Sequence, residues 1–419
     1  MGSAAFKKDL TNTLLLCERL GNPQKKFKSI HIAGTNGKGS VSHMLAAIFQ
    51  TADYKTGLYT SPHLYDFRER IKLNGVMCDE DFVVDFVERV KPLIEEIQPS
   101  FFEITVAMAF EYFVQQEVDI AIIEVGLGGR LDSTNVIIPE LSVITNIGWD
   151  HMNLLGNTLE EIAFEKAGII KENIPVVIGE KKKETEGVFR EIASQKHSPL
   201  FFAEENFSVK SYKLLNASIE ISVADKNSTA KNYQLDLPGI YQTKNILTAL
   251  QAVEVLKEWK LNTRQIQQAL KSIKKLTGLY GRWETIHEEP LVVLEVAHNK
   301  DGIEQMLTHL QNIKFNQLHI ILGVVKDKDV EPVLQLLPKK ANYYFTQAHI
   351  PRALDAQALQ TKASDYSLNG NYFSDVNTAL QQALVSSFKN DLIIVCGSIF
   401  LVAEVNRRLT ELAQDSHNG

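Results

Sequence analysis

Cysteine, tryptophan and long apolar runs are what this 419-residue chain has least of. Its three cysteines, Cys17, Cys78 and Cys396, share no metal-binding or redox spacing. So sparse and odd a set excludes a disulfide framework and points to a reducing compartment. No stretch approaches the ~18 apolar residues of a membrane span, and Met1-Gly2-Ser3-Ala4-Ala5-Phe6-Lys7-Lys8 lacks the apolar core of a signal peptide. An excess of basic residues is missing too: 44 Lys and Arg stand against 51 Asp and Glu, a formal net charge of −7. That balance argues against nucleic acid as the main partner, because phosphate contacts need clustered Lys and Arg. The expectation is a cytoplasmic protein with neither membrane nor nucleic-acid partners. At this length two domains are the default, and the 44% hydrophobic and 23% charged fractions are those of a globular chain.

What is present is a glycine-rich turn in an informative place. Ile30-His31-Ile32-Ala33 is a short apolar run, Gly34-Thr35-Asn36-Gly37-Lys38-Gly39-Ser40 follows, and Val41, Met44, Leu45, Ile48 and Phe49 then recur at helical spacing. Strand, glycine turn and helix in that order predict a phosphate cradle. Glycines let backbone N–H groups approach an anion closely, and the helix N-terminus adds partial positive charge. Lys38 would reach a terminal phosphate, and Ser40 would offer a hydroxyl near Mg²⁺. The spacing departs from G-x-x-x-x-G-K-[ST]: Ile32 stands at the first glycine, and Gly39 separates Lys38 from Ser40.

Apolar runs at 28–33, 55–59, 118–125, 141–145 and 174–178 read as buried parallel strands. Helical patterns lie between them at Asp81–Ile97 and Thr105–Gln116, and Thr158-Leu159-Glu160-Glu161 opens a third helix through a capping box. Polar alternation over Phe207–Tyr212, Ser218–Val223 and Tyr233–Leu237 predicts an antiparallel extension, followed by helices at 243–258 and 263–275. Gly278, Gly281 and Arg282 are read as a hinge. Strands at 291–296, 318–323, 342–346 and 391–396 then alternate with helices. The predicted class is α/β: a P-loop-type, mostly parallel sheet domain with an antiparallel extension over 1–280, then a smaller Rossmann-like α/β domain over 284–419.

Ligands of parallel sheets bind at the carboxyl ends of strands, and three candidates for a Mg²⁺ site fall there. They are Ser61, Glu124 and His151, a hydroxyl, a carboxylate and an imidazole. Each alone has an ordinary alternative as a cap serine, a surface glutamate or a loop histidine. The run Gly126-x-Gly128-Gly129, followed by Arg130-Leu131-Asp132, is a second ligand-friendly loop. Phe101-Phe102-Glu103 offers two aromatics and a carboxylate for a flat heterocycle, or the start of a helix with core phenylalanines.

Together these segments resemble the folylpolyglutamate synthase/dihydrofolate synthase family of the Mur ligase superfamily. The matching stretches are His31–Ser40, Ser61–Leu64 with Glu69–Ile71, Phe101–Phe110, Glu124–Asn135, Asn146–His151, Glu165–Ile170, Glu295–Asn299, Asp327–Asp329, Pro351-Arg352 and Gly397-Ser398. The resemblance implies an ATP-dependent ligase that activates a folate carboxylate as an acyl phosphate for attack by L-glutamate. By the same similarity Thr35, Asn36, Gly37, Lys38, Gly39 and Ser40 hold the triphosphate, with Asn245, Arg282 and Glu295 as further ATP contacts. Ser61, Glu124 and His151 hold Mg²⁺, of which two ions are expected. Lys166 matches the family's carbamylated lysine; its ordinary alternative is a surface lysine paired with Glu161 or Glu165. Phe101, Phe102, Glu103, Arg130, Leu131 and Asp132 match the pterin-binding segments. His298, with Ser398, matches positions linked to the incoming glutamate; Lys166, Lys38 and His298 are the catalytic candidates. The family's usual aspartate and proline are replaced here by Glu295 and Lys300. The implied partners are ATP, L-glutamate and a reduced folate or dihydropteroate, acted on by a monomer. Competing readings are a Mur-type amino-acid ligase for a nucleotide-linked peptide and a non-catalytic, nucleotide-gated binding protein. The start so close to the phosphate loop is read as a truncation or an expression scar.

Overall fold

Strands that are apolar throughout demand cover on both faces, and the chain builds its first sheet that way. In the computed structural model, which describes residues 9–326 and 329–409, eight strands form this sheet. They are β1 (Ser29–Ala33), β2 (Thr56–Tyr59), β3 (Ile71–Leu73), β4 (Val76–Met77), β5 (Ile120–Glu124), β6 (Leu141–Ile144), β7 (Val176–Ile178) and β8 (Leu200–Phe202), in the order β4-β3-β2-β5-β1-β6-β7-β8. Pairing is parallel from β2 through β8, while β3 and β4 add an antiparallel edge. Four adjacent strands, β2, β5, β1 and β6, therefore point their carboxyl ends the same way. The helix Lys38–Thr51 follows β1, and its Val41, Met44, Leu45, Ile48 and Phe49 are all fully buried. No helix among the described residues is long and apolar enough to cross a membrane.

Several elements differ from the sequence reading. A helix at Thr11–Arg19 precedes the sheet and buries Leu16 and Cys17 in the same cluster as Phe110 and Phe113. The helix expected from Thr105 begins at Phe101, because Ser100 and Glu103 form a capping box. The antiparallel strands β9 (Phe207–Leu214), β10 (Ile219–Asp225) and β11 (Ala230–Leu235) are hydrogen-bonded to one another as a separate three-stranded sheet.

The chain divides into two compact units. The first runs to Asp236 and resumes at Tyr241–Leu279. The second takes in the described residues from Tyr280 onward together with Leu237–Ile240, a segment that the sequence reading placed in the first domain. There the Ile240 N–H donates to His309 Nδ1 at 3.1 Å. The second unit holds a six-stranded sheet of β12 (Glu284–Glu288), β13 (Leu291–Glu295), β14 (Leu318–Gly323), β15 (Asn342–Phe345), β16 (Gly370–Tyr372) and β17 (Leu392–Gly397), in the order β12-β13-β17-β14-β15-β16. All its pairs are parallel except β12 with β13. Of the Asp327-Lys328-Asp329 motif, Asp327 and Lys328 lie outside the described residues, as does Met1–Lys8.

Candidate active site

The turn after β1 is held by the end of β6, about a hundred residues on. The Thr35 N–H donates to the Asn146 carbonyl at 3.0 Å, and the Asn36 N–H to Asn146 Oδ1 at 2.8 Å. Thr35 Oγ1 accepts from the Gly148 N–H at 3.0 Å, and Thr145 Oγ1 donates to the Asn36 carbonyl at 2.6 Å. Two glycines are obligatory here. Gly34 has φ +149°, and a Cβ on it would lie 1.9 Å from Thr145 Oγ1; Gly37 has φ +84°, and a Cβ on it would lie 2.4 Å from Asn245 Oδ1. Asn245 thus touches the loop itself. Its Nδ2 donates to Gln242 Oε1 at 2.8 Å, and Gln242 Nε2 donates to Ser40 Oγ at 3.3 Å.

Two lysines converge on one carbonyl of this loop. Lys38 Nζ lies 2.9 Å and Lys166 Nζ 3.0 Å from the Gly34 oxygen. Lys166 sits in the last turn of the helix Leu159–Ala167, opened by the Thr158–Glu161 capping box. Its residue exposure is only 3%, so the surface pairing considered for it does not occur. Arg130 takes Glu165 at 2.8 Å instead, and Glu161 is occupied in the cap. Burial first, then the Lys38 ammonium, pushes the Lys166 pKa down to about 7, against the opposing pull of Asp150 and Asp132.

Two of the metal candidates, Ser61 and Glu124, lie at the ends of neighbouring strands. Glu124 closes β5, buried, and its Oε2 accepts from the Ser61 N–H beyond β2 at 3.3 Å. A Cβ on Gly39 would stand 3.8 and 3.9 Å from the two Glu124 oxygens, which places the carboxylate against the loop. His151 caps the short helix Met152–Leu155 with φ +50°, its Nε2 3.8 Å from Asp150 Oδ2. Among the described residues no three His, Cys, Asp or Glu side chains gather into a ready coordination shell. A carboxylate beside a serine is an oxygen donor set that fits Mg²⁺, which keeps waters and phosphate oxygens.

A third cluster borders the loop after β5. Phe101 is 40% exposed, packs on Phe67 with ring centroids 5.7 Å apart, and lies under the Arg70 guanidinium. Phe102 neighbours Tyr59 and approaches Gly126, where a Cβ would meet the Phe102 ring at 2.5 Å and Asp132 Oδ2 at 3.2 Å. Phe102 and Asp132 are thus brought together. Leu131 is half-buried and Arg130 exposed. Glu103 is buried, and its Oε2 accepts from the Ser100 N–H.

In the second unit the carboxyl ends of β13 and β17 lie side by side, with Glu295 in register with Cys396. Glu295 Oε2 accepts from the Trp283 N–H at 2.8 Å, and Arg282 Nη1 donates to the Gly281 carbonyl. His298 is half-buried between β13 and the helix Lys300–Leu310. Ser398 follows β17 and caps the short helix Ile399–Ala403 by accepting from the Leu401 N–H.

Sequence reasoning missed Thr145, Gln242 and Asp150 as members of the first-unit site. Gln242 was discoverable, since it lies one helical turn before Asn245 on the same face.

Comparison with known proteins matches two family models in succession: the Mur ligase middle domain over residues 32–253 and the Mur ligase glutamate ligase domain over 281–399. The dihydrofolate synthase/folylpolyglutamate synthase of Bacillus subtilis is 35% identical over 94% of this chain and 93% of its own. E. coli FolC, solved in complex with DHPP and ADP, superposes with a TM-score of 0.85 at 28% identity, covering 100% of this chain and 96% of that one. Mycobacterium tuberculosis folylpolyglutamate synthase, solved with ADP and AMPPCP, gives a TM-score of 0.86 at 29% identity over 98% and 95%.

Proposed function

Because the chain belongs to the folylpolyglutamate synthase/dihydrofolate synthase family of Mur ligases, it is an ATP-dependent ligase, and we propose that it adds L-glutamate both to reduced folates and to dihydropteroate. The observation that carries this reading is the convergence of Lys38 and Lys166 on the Gly34 carbonyl, beside the Glu124 carboxylate.

The chemistry follows from those groups. A carboxylate oxygen of the pteroate or folate attacks the γ-phosphorus of ATP, and ADP leaves. The amino nitrogen of glutamate then attacks the acyl carbon, phosphate leaves, and the nitrogen gives up a proton as the amide forms. Thr35–Ser40 hold the phosphates through backbone N–H groups, and Lys38 meets the charge that develops on the transferring phosphoryl group. Asn245 supports this loop, and Arg282 and Glu295 are further ATP contacts. Phe101, Phe102, Arg130, Leu131 and Asp132 face the pterin, and Glu103 fixes the start of the Phe101–Gln115 helix through the Ser100 N–H. His298 and Ser398 receive glutamate. Residues 1–280 act as the ATP-binding domain and 284–419 as the glutamate ligase domain.

Ser61, Glu124, His151 and a carbamylated Lys166 would hold Mg²⁺, which supplies charge neutralisation at the β- and γ-phosphate oxygens. For the carbamate, the neutral Lys166 amine attacks the carbon of CO₂ and loses one proton, so an amine becomes an anion. A pKa near 7 keeps a large share of that amine neutral at physiological pH. An ADP-release assay with glutamate and a panel of pteroates tests the whole reading. Turnover that requires both glutamate and a pteroate or folate is the expected result, and release of ADP without either would overturn it.

A further inference from the structure

A histidine stands where an aliphatic residue would pack better. His31 lies in β1 between Ile30 and Ile32, wholly buried, and its Nδ1 has no hydrogen-bond partner among the described residues. An unsatisfied ring nitrogen in a sheet centre is costly, and leucine or valine would avoid that cost. Burial, with the nearby Lys171 ammonium, pushes the His31 pKa down to about 3, so the ring is neutral.

Its other nitrogen begins a chain of hydrogen bonds. Nε2 is 2.8 Å from Thr134 Oγ1, which is 2.5 Å from Asp132 Oδ1. The Thr134 hydroxyl donates to Asp132 Oδ1, so its oxygen is left to accept from His31 Nε2–H. Asp132 Oδ1 also accepts from the Thr134 N–H at 3.0 Å, and Oδ2 from the Leu127 N–H at 2.8 Å. The chain thus runs from the strand that feeds the phosphate loop to the carboxylate beside Phe102.

We propose that His31 is a positioning residue for the pterin: through Thr134 it orients the Asp132 carboxylate and orders the Gly126–Asp132 loop, so that a heterocycle with N–H donors is read at Asp132. This rests on the reading that Asp132 faces the pterin. His31 touches no substrate; it acts through Thr134.

Three variants and two readouts test it. Thr134→Val removes the hydroxyl at nearly constant volume, His31→Leu removes the donor, and His31→Gln restores a donor at similar reach. Amide hydrogen exchange at Leu127 and Thr134 should accelerate at least tenfold in T134V and H31L and recover in H31Q. The KM for dihydropteroate should rise about tenfold in the first two, with the KM for ATP within twofold of the parent and H31Q within threefold. Unchanged exchange in T134V, or equal rises in both KM values, would overturn the proposal. Asp132→Asn separates the underlying reading: if it leaves the KM for dihydropteroate unmoved while T134V still loosens the loop, Asp132 is not the pterin contact. The positioning role for the pterin then falls with it.

Discussion

The two units solve the same problem at the carboxyl ends of parallel strands, and they solve it differently. In the first, the functional loop is fixed by groups remote in sequence: Asn146 and Gly148 hold Thr35 and Asn36, and Asn245 fills the space beside Gly37. In the second, the side-chain bonds of Glu295 and Ser398 go to nearer groups, while the Ser398 N–H donates to the Gly323 carbonyl at 2.9 Å. Glu295 is held by the Trp283 N–H, and Ser398 by the helix it caps. Remote fixation suits a cradle that has to present several N–H groups and two lysines at set positions, since misplacement by an ångström is costly in phosphoryl transfer. Local fixation suits residues that each make a single contact.

Breaking the first arrangement should have the larger effect. Lys38→Ala should lower ligation by on the order of 3 kcal/mol in transition-state stabilisation, more than a hundredfold in rate. Its thermal midpoint should stay close to that of the parent. A variant that unfolds instead would show that Lys38 serves the loop through its bonds to Gly34 and Thr35. Lys166→Ala should fall by about a hundredfold and regain part of its activity with short-chain carboxylates, which occupy the vacated space; a fully active variant would remove the carbamate from the account.

Acid should strain both units, the first over the wider range. Burial holds the pKa of His31 at about 3 and that of His309, in the second unit, at about 4. The unfolded chain takes up a proton at each below about 6.5, whereas the folded chain does not. Stability is therefore present above pH 6.5 and is lost as pH falls toward those folded values, at on the order of 1.4 kcal/mol per pH unit for each histidine. Urea midpoints followed by hydrogen exchange in each unit should fall between pH 7 and pH 5, and a flat profile would show that these rings are accessible to protons. The smallest effect belongs to Ser398→Ala. Loss of its cap should cost about 1 kcal/mol in the second unit, and the KM for glutamate should rise while that for ATP stays put. A shift in both would mean that Ser398 does not discriminate between them.

The central strands, the phosphate loop and the capping box at Thr158 were legible because each rests on a local pattern: apolar runs, glycine spacing and a Thr-x-x-Glu signature. The true start of the helix at Phe101 was legible as well, in Ser100-x-x-Glu103, but two phenylalanines beside a glutamate read equally as a ligand surface. The helix Thr11–Arg19 escaped because its burial depends on packing in a cluster with Phe110 and Phe113, nearly a hundred residues away. Strands β3, β4 and β16 are two or three residues long, too short for any periodicity to register. His31 was absorbed into an apolar run, and the partner that gives it meaning, Thr134, lies 103 residues on. The burial of Lys166 could not be read from the sequence, which set it close to two acidic residues, Glu161 and Glu165.

The remote fixation of the phosphate loop also sets an order of events during synthesis. Strand β1 is made early but is seated between β5 and β6, and Asn36 waits 110 residues for Asn146. At ~5–20 residues per second that is an interval of roughly 5–20 s, and Asn245 arrives later still. Throughout it the nascent glycine turn lacks the contacts that shape it. The glycine turn therefore takes its final shape only when the first unit is almost complete.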